Sequence, residues 1–455
     1  MSNKLAADVV VIGAGYAGLS AALEARHCGA SVILLCDRGP LANNSAMSGG
    51  LFAMAGTPVQ EKMVIKDSPE LFRQDLMRAS NNKADSETVR TFVNAAGEMY
   101  DWLIGFGAEF PILTHQVGHS VLRVHQEVGD GKTGLGRGGR LLKLMQTAAK
   151  SHGVDMRMRT PVTGLLTNEK GGVIGAEAED REKGKVEIKA ARGVVLTAGG
   201  FAKDKDMLKK YAPGLVGLVN ASAAGSTGDG IRMGMAVGAA VANLDAAVLG
   251  SAAYGPAGRV RDITVALRKI IPEGIVVNKQ GLRYMDESIS SYRAAGELMS
   301  QPGRLVFVIF DSETLKKAEL DIGESLITAA SPEELALKLG IESRVLTETI
   351  IAFNRAVPQV DSIGDPLQKR LLRGTFYAIT GRLVFTYGGL KTTTQSQVVH
   401  ESGHVIPGLF AAGDNVTGLC GPSNGYNAVS GYLTGCGNMA ALVFGRIAGR
   451  NAAKG

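Results

Sequence analysis

The chain has 455 residues, 60 glycines, only 5% aromatics and a formal net charge of +6. That length supports a large core spread over two or three domains, or one discontinuous domain with an insertion. The positive charges are scattered, without a Lys/Arg block or basic stripe, which excludes a nucleic-acid-binding role and leaves solvated surface charge.

Residues 8–13, DVVVIG, read as a buried parallel strand. YAGLSAALEARHCG follows as a helix ended by Gly29, and SVILLCD is the next strand, completing a βαβ unit. From SPELFRQDLMRAS to DWLIGFG the pattern is helical, and GRLLKLMQTAAKSHG is another amphipathic helix. VDMRMRTPVTGLLTNEKGGVIGAEAED alternates like a strand meander, and KAARGVVLTAGG is a strand entering a glycine turn. GSTGDGIRMGMAVGAAV is a loop and a small-residue helix. Residues from about 240 to 380 mix helices with short strands and hold no nucleotide-type glycine motif, so they read as an insertion. GLFAAGD returns to strand-plus-glycine chemistry, and the last helix is roughly NMAALVFGRIAGRNAA. The resulting division is 1–238 and 379–455 for one discontinuous domain and 239–378 for the inserted one.

The four cysteines, Cys28, Cys36, Cys420 and Cys436, form no Cys-x-x-Cys pair, so no metal site and no disulfide framework is expected. A reducing cytoplasm fits. The hydrophobic run at the start leads straight into a glycine motif instead of a cleavage site, and no apolar stretch is long enough to span a bilayer.

Gly13-Ala-Gly15-Tyr-Ala-Gly18 is a GxGxxG turn between a strand and a helix, and Asp37 ends the second strand about twenty residues on. Gly13 permits the tight turn, Gly15 lets the backbone approach a pyrophosphate, and Gly18 allows close helix–strand packing. The helix N-terminus offers N–H groups to the phosphates, and Asp37 suits the adenosine ribose hydroxyls.

Taken with TAGG (197–200), STGDG (226–230), GLFAAGD (408–414), NNSAMSGGLFAMAGT, GHSVLRVH (118–125), GLRYMDES, TYGGLKT and VFGRIAG, the chain resembles one flavoprotein family over nearly its whole length. That family comprises fumarate reductases, succinate dehydrogenases, L-aspartate oxidases and 3-ketosteroid dehydrogenases. The resemblance implies an α/β fold, a Rossmann-like FAD-binding domain that is discontinuous, with an inserted α+β capping domain. It implies that Ser45, Gly49 and Gly50 face the flavin, that Val162 meets the adenine and that Asp414 holds the ribityl chain. Ala198, Gly199, Asp229, Gly388 and Gly413 belong to the matching cofactor motifs. Members that tether FAD covalently use a His at the position of Asn43, so FAD is expected to be non-covalent here. No second GxGxxG serves NAD(P)H, so the electron partner is expected to be a separate protein, a quinone or oxygen.

The departures point to the chemistry. Fumarate reductases clamp two carboxylates with a His before a Gly-Gly pair and an Arg in a C-terminal loop. Here Phe385 stands at the first place, and Tyr432, or Tyr426 in another register, at the second. The His-Pro-Thr motif of the cap is replaced by DAAVLGSAAYGPAG. Ketosteroid dehydrogenases carry a Tyr in this loop followed by glycines. The resemblance makes Tyr432, with the N–H of Gly435 or Gly437, the ketone-oxygen site, and such donors stabilise a developing enolate. In GLRYMDESISSYRAA, Tyr292 and Arg293 compete as the acid/base, each one or two residues from the family spacing. His119 and His125, flanking Arg123, are candidate contacts to flavin or substrate, whereas Tyr254, Trp102, Phe110 and Cys436 read as core. The implied reaction is α,β-desaturation of a small or cyclic ketone, by α-proton abstraction and hydride transfer to flavin N5. The alternative is reduction of an α,β-unsaturated carboxylate or enone.

Overall fold

A computed structural model describes residues 3–39, 41–129, 137–180, 184–254, 260–261, 274–287, 289, 291–311, 314, 327–356 and 374–455. The chain forms two compact units. One gathers Met1–Val216, Asn220–Val248 and Val384–Gly455, and the other Gly217–Val219 with Leu249–Leu383.

The first unit is built on strand β1 (Asn3–Ile12), helix α1 (Tyr16–His27) and strand β2 (Val32–Cys36). Val9, Val10 and Val11 are fully buried, as expected of a parallel strand covered on both faces. A short helix α2 (Asn44–Met47) follows, and then, further on, helix α3 (Gly138–Ser151) and strand β3 (Asp155–Met158). The predicted meander is present as Val162–Thr167 and Val173–Asp180, antiparallel to one another and leading into strand β4 (Gly184–Leu196). Helix α4 (Asp229–Ala236) and strand β5 (Val405–Ala411) come next, and helix α5 (Cys436–Ala452) closes the unit. The parallel order across the sheet is β5, β4, β1, β2, β3.

Helix α5 lies against α1 at very short range. A Cβ at Gly445 would meet the Ala17 carbonyl oxygen at 2.4 Å. Ser20 donates its hydroxyl to the Leu442 carbonyl at 2.7 Å. Glu24, almost fully buried, takes Arg446 and Arg450 from the same helix, each at 2.6 Å.

The second unit pairs Ile275–Asn278 with Leu305–Asp311, and Leu305–Asp311 with residues 374–380, all antiparallel. Ile275, Val277, Phe307 and Ile309 share a core with Leu335, Ala336, Leu346 and Ile350 from helices Pro332–Leu339 and Ser343–Ala356. Alternate strand residues thus face two helices, an α+β arrangement. Among the described residues, no helix is long and apolar enough to cross a membrane.

Candidate active site

The glycines sort into two kinds by what surrounds them. A Cβ on Gly13 (φ +114°) would sit 2.2 Å from the Thr197 carbonyl oxygen, and one on Gly18 would sit 1.9 Å from that of Gly13. These two are glycines because backbone meets backbone. Gly15, Gly49 and Gly199 instead leave room: a Cβ on Gly199 meets nothing within 4 Å, and one on Gly15 meets only Ser45 Oγ, at 3.2 Å. Gly15 also N-caps α1 without any side-chain cap, which leaves amides at the helix start for an anion. The Tyr16 amide donates to Ser45 Oγ at 3.0 Å, and this brings α2 to the same turn. The open backbone face at a helix N-terminus fits a dinucleotide pyrophosphate.

Asp37, at the end of β2, is exposed and lies 3.5 Å from Arg38. Partial desolvation raises its carboxyl above the usual range, Arg38 opposes that, and the nearby Asp229 adds to it. Asp229 opens α4, accepting the Thr227 hydroxyl at 2.6 Å and pairing with Arg232 at 3.1 Å. Asp37 and Asp229 thus lie within electrostatic reach of one another, two carboxylates of the acceptor kind that ribose hydroxyls need.

Asn43 caps α2, its side-chain oxygen accepting from the Ala46 amide at 3.0 Å. The next residue, Asn44, donates to Asp414 Oδ2 at 3.0 Å and accepts from the Ala223 amide at 2.8 Å. Burial raises the Asp414 carboxyl above its ordinary range, with the Asn44 bond opposing. Asn44 was missed from the sequence because its partners lie far along the chain. Gly413 (φ +73°) packs against Ala17, and Gly50 (φ +66°) leaves no space for a side chain beside Arg137. Ala198 is half-buried in the turn after β4, and Val162 is half-buried opposite Ala178. Gly388 is closed by protein, since its Cβ would lie 2.0 Å from the Asn243 carbonyl oxygen.

The C-terminal loop places Tyr432 edge-on to Phe385, with ring centroids 5.7 Å apart. A Cβ at Gly437 would come within 2.9 Å of the Tyr432 hydroxyl, so glycine there makes room for that hydroxyl beside the start of α5. Gly435 (φ +84°) N-caps α5 without a side-chain cap, and its carbonyl accepts from the Ala53 amide at 3.2 Å. Tyr387 is buried, and its hydroxyl accepts from the Cys420 amide at 2.6 Å. No Lys or Arg occurs between Lys391 and Arg446. Tyr426, by contrast, is exposed between the bridged residues Ser423 and Val429.

The histidines of GHSVLRVH are engaged by protein. His125 donates through Nδ1 to the Arg123 carbonyl at 2.9 Å and accepts the Thr57 hydroxyl at Nε2, 2.8 Å away. His119 donates through Nε2 to the Thr434 carbonyl at 3.0 Å. Arg123 is fully buried between Asp67 and Asp75, at 2.7 and 2.6 Å. Phe110 packs on Phe52, and Trp102 on Phe106 beneath Arg446. Burial pushes the Cys436 thiol well above its usual range, consistent with a space-filling role.

In the second unit, Tyr292 is half-buried and Arg293 exposed on helix Ser291–Met299. Adjacent helical residues project about 100° apart, so the two do not serve one point equally. The upstream Glu287 is buried, paired with Arg283 at 2.6 Å and accepting from the Val276 amide at 2.9 Å. The Tyr254 side chain lies outside the described residues.

A sequence model of the family described as FAD binding domain matches residues 8–433. The chain is 32% identical over 457 residues to "Fumarate reductase (cytochrome)" of Shewanella frigidimarina, covering 98% of this chain and 77% of that protein. It superposes with a TM-score of 0.84 on 3-ketosteroid-delta4-(5alpha)-dehydrogenase from Rhodococcus jostii RHA1 in complex with 4-androstene-3,17-dione, at 29% identity, covering 99% and 97% of the two chains. With the open conformation of a flavocytochrome c3 fumarate reductase the TM-score is 0.76 at 30% identity, covering 99% and 78%. The chain belongs to this FAD-binding family and is an FAD-dependent oxidoreductase acting on carbon–carbon unsaturation.

Proposed function

We propose that this enzyme catalyses α,β-desaturation of a small or cyclic ketone. The observation that carries the reading is the C-terminal loop: an uncharged Tyr432 beside Phe385, at the uncapped start of α5, in a stretch without Lys or Arg. Residues 392–445 themselves offer no guanidinium to receive a dicarboxylate. A ketone needs only neutral donors, which the Tyr432 hydroxyl and the Gly435 or Gly437 N–H supply.

In this reading those donors hold the carbonyl oxygen and stabilise negative charge as the α-proton leaves. Tyr292 takes that proton as base, with Arg293 the competing candidate. FAD, when bound, accepts the two electrons and β-hydrogen as hydride, so the substrate loses two hydrogens in all and gains a C=C bond. Gly15 and the start of α1 hold the pyrophosphate, Asp37 and Asp229 the ribose, and Asp414, fixed by Asn44, the ribityl chain. Electrons then leave to an external protein, quinone or oxygen.

The test is anaerobic mixing of the FAD-loaded protein with saturated cyclic ketones and steroids, following the flavin band. Bleaching by a ketone supports the reading. If no ketone bleaches it and the dithionite-reduced protein is reoxidised by acrylate or fumarate, the carboxylate-reductase alternative replaces it. The sequence similarity to fumarate reductase motivates including those acids.

A further inference from the structure

His119 is neither at the glycine turn nor on the C-terminal loop, yet it touches the loop at its tightest point. Its Nε2–H donates to the Thr434 carbonyl, one residue before Gly435 turns into α5. Beside it, Gly118 (φ +99°) is held against Leu433: a Cβ there would lie 2.5 Å from Leu433 Cδ2. Two consecutive residues thus seat two consecutive loop residues, one by a hydrogen bond and one by close packing. The seat is itself anchored. The Ser120 amide and hydroxyl donate to Asp75 at 2.8 and 2.9 Å, and Arg123 ties Asp75 to Asp67. Phe72 lies under Arg123 at 4.5 Å and next to the His119 ring at 5.9 Å. The other ring nitrogen, Nδ1, is buried and has no hydrogen-bond partner among the described residues.

We infer that His119 is a positioning residue for the ketone-binding loop, holding Thr434 so that Tyr432 and the α5 amides stay in register with the substrate oxygen. This rests on the function proposed above. The Asp67–Arg123–Asp75 cluster is the rigid base of that seat, and the turn at Gly435 is tied from both sides, by His119 through Thr434 and by Ala53 through Gly435.

The experiment uses the FAD-loaded full chain in four forms: H119F, H119Q, Y432F and the double variant H119F/Y432F. Hydrogen exchange is measured first, without substrate. In H119F the segment 430–440 exchanges roughly tenfold faster or more, while H119Q, which keeps a donor, stays near wild type. Unchanged exchange in H119F overturns the inference. The rate of anaerobic flavin reduction by the ketone that bleaches wild type is measured next. H119F slows it on the order of 10–100-fold, and slows Y432F by less than about threefold, because residues acting through one another are not additive. Equal factors in both backgrounds show a general structural loss and overturn it. If Y432F reduces at the wild-type rate while H119F still loosens the loop, the seat stands and the ketone-binding role of Tyr432 falls.

Discussion

A side chain at Gly449 would place its first carbon 2.1 Å from the carbonyl oxygen of Ala21. Helices α1 and α5 therefore touch backbone to backbone, with Gly445 making the same approach one turn earlier. G449A should lower stability by about 1–3 kcal/mol through overpacking, even though alanine is the better helix former by about 1 kcal/mol. Urea unfolding midpoints against wild type check this; an unchanged or higher midpoint contradicts it.

Y432F should leave FAD content and thermal stability near wild type and slow flavin reduction by a ketone about 10²–10³-fold, the usual loss for one oxyanion donor. Y426F, altering an exposed tyrosine, should change the rate less than about twofold, within the spread of surface substitutions. Stopped-flow reduction of both variants decides between the two registers of the loop.

Acid should destabilise the fold through its buried imidazoles. Burial first, and the Arg123 charge second, depress His119 to about 4, and burial depresses His125 to about 4. The unfolded residues titrate near 6.5, so between roughly pH 6.5 and 4 the unfolded state binds more protons and stability falls as pH falls. Each imidazole contributes up to about 3 kcal/mol over that window. Denaturation midpoints from pH 7.5 to 4.5 should decline, and less steeply in H119Q.

R123M should cost about 3–5 kcal/mol, because it takes the paired cation from buried Asp67 and leaves Asp75 with only Arg78 and Ser120. Differential scanning calorimetry measures it. A near-neutral change would show that water reaches the two carboxylates.

FAD should leave the protein on acid precipitation and colour the supernatant. Asn43, at the position of a tethering histidine, spends its side chain capping α2. Flavin fluorescence retained on the denatured band in a gel would contradict this.

What could be read from the sequence followed local patterning. The run DVVVIG, the glycine turn and the strand ending at Asp37 each carry their signal within a few residues, and all occur in the fold. Gly18 could be assigned to close packing because spacing in a βαβ turn dictates it. The bond from Asn44 to Asp414 spans 370 residues, and that from His119 to Thr434 spans 315. Nothing in either local stretch announces such a partner. His119 and His125 are candidate contacts because GHSVLRVH is a family-like segment; in the fold His119 bonds the Thr434 carbonyl, and His125 bonds the Arg123 carbonyl and the Thr57 hydroxyl. Gly388 belongs to a cofactor motif, and the Asn243 carbonyl leaves no room for a side chain there.

The central sheet also governs the order in which the molecule can be completed. Strand β4 receives Leu409–Ala411 of β5 on the edge away from β1, and α1 waits for Gly445 and Gly449 to cover it. While the polypeptide is emerging from the ribosome, that strand edge and that helix face stay bare until residues 405–452 arrive. Pairings so distant in the chain form slowly, and exposed edges meanwhile favour association with other chains. Docking of α5 and pairing of β5 thus remove the surfaces through which the incomplete fold would associate.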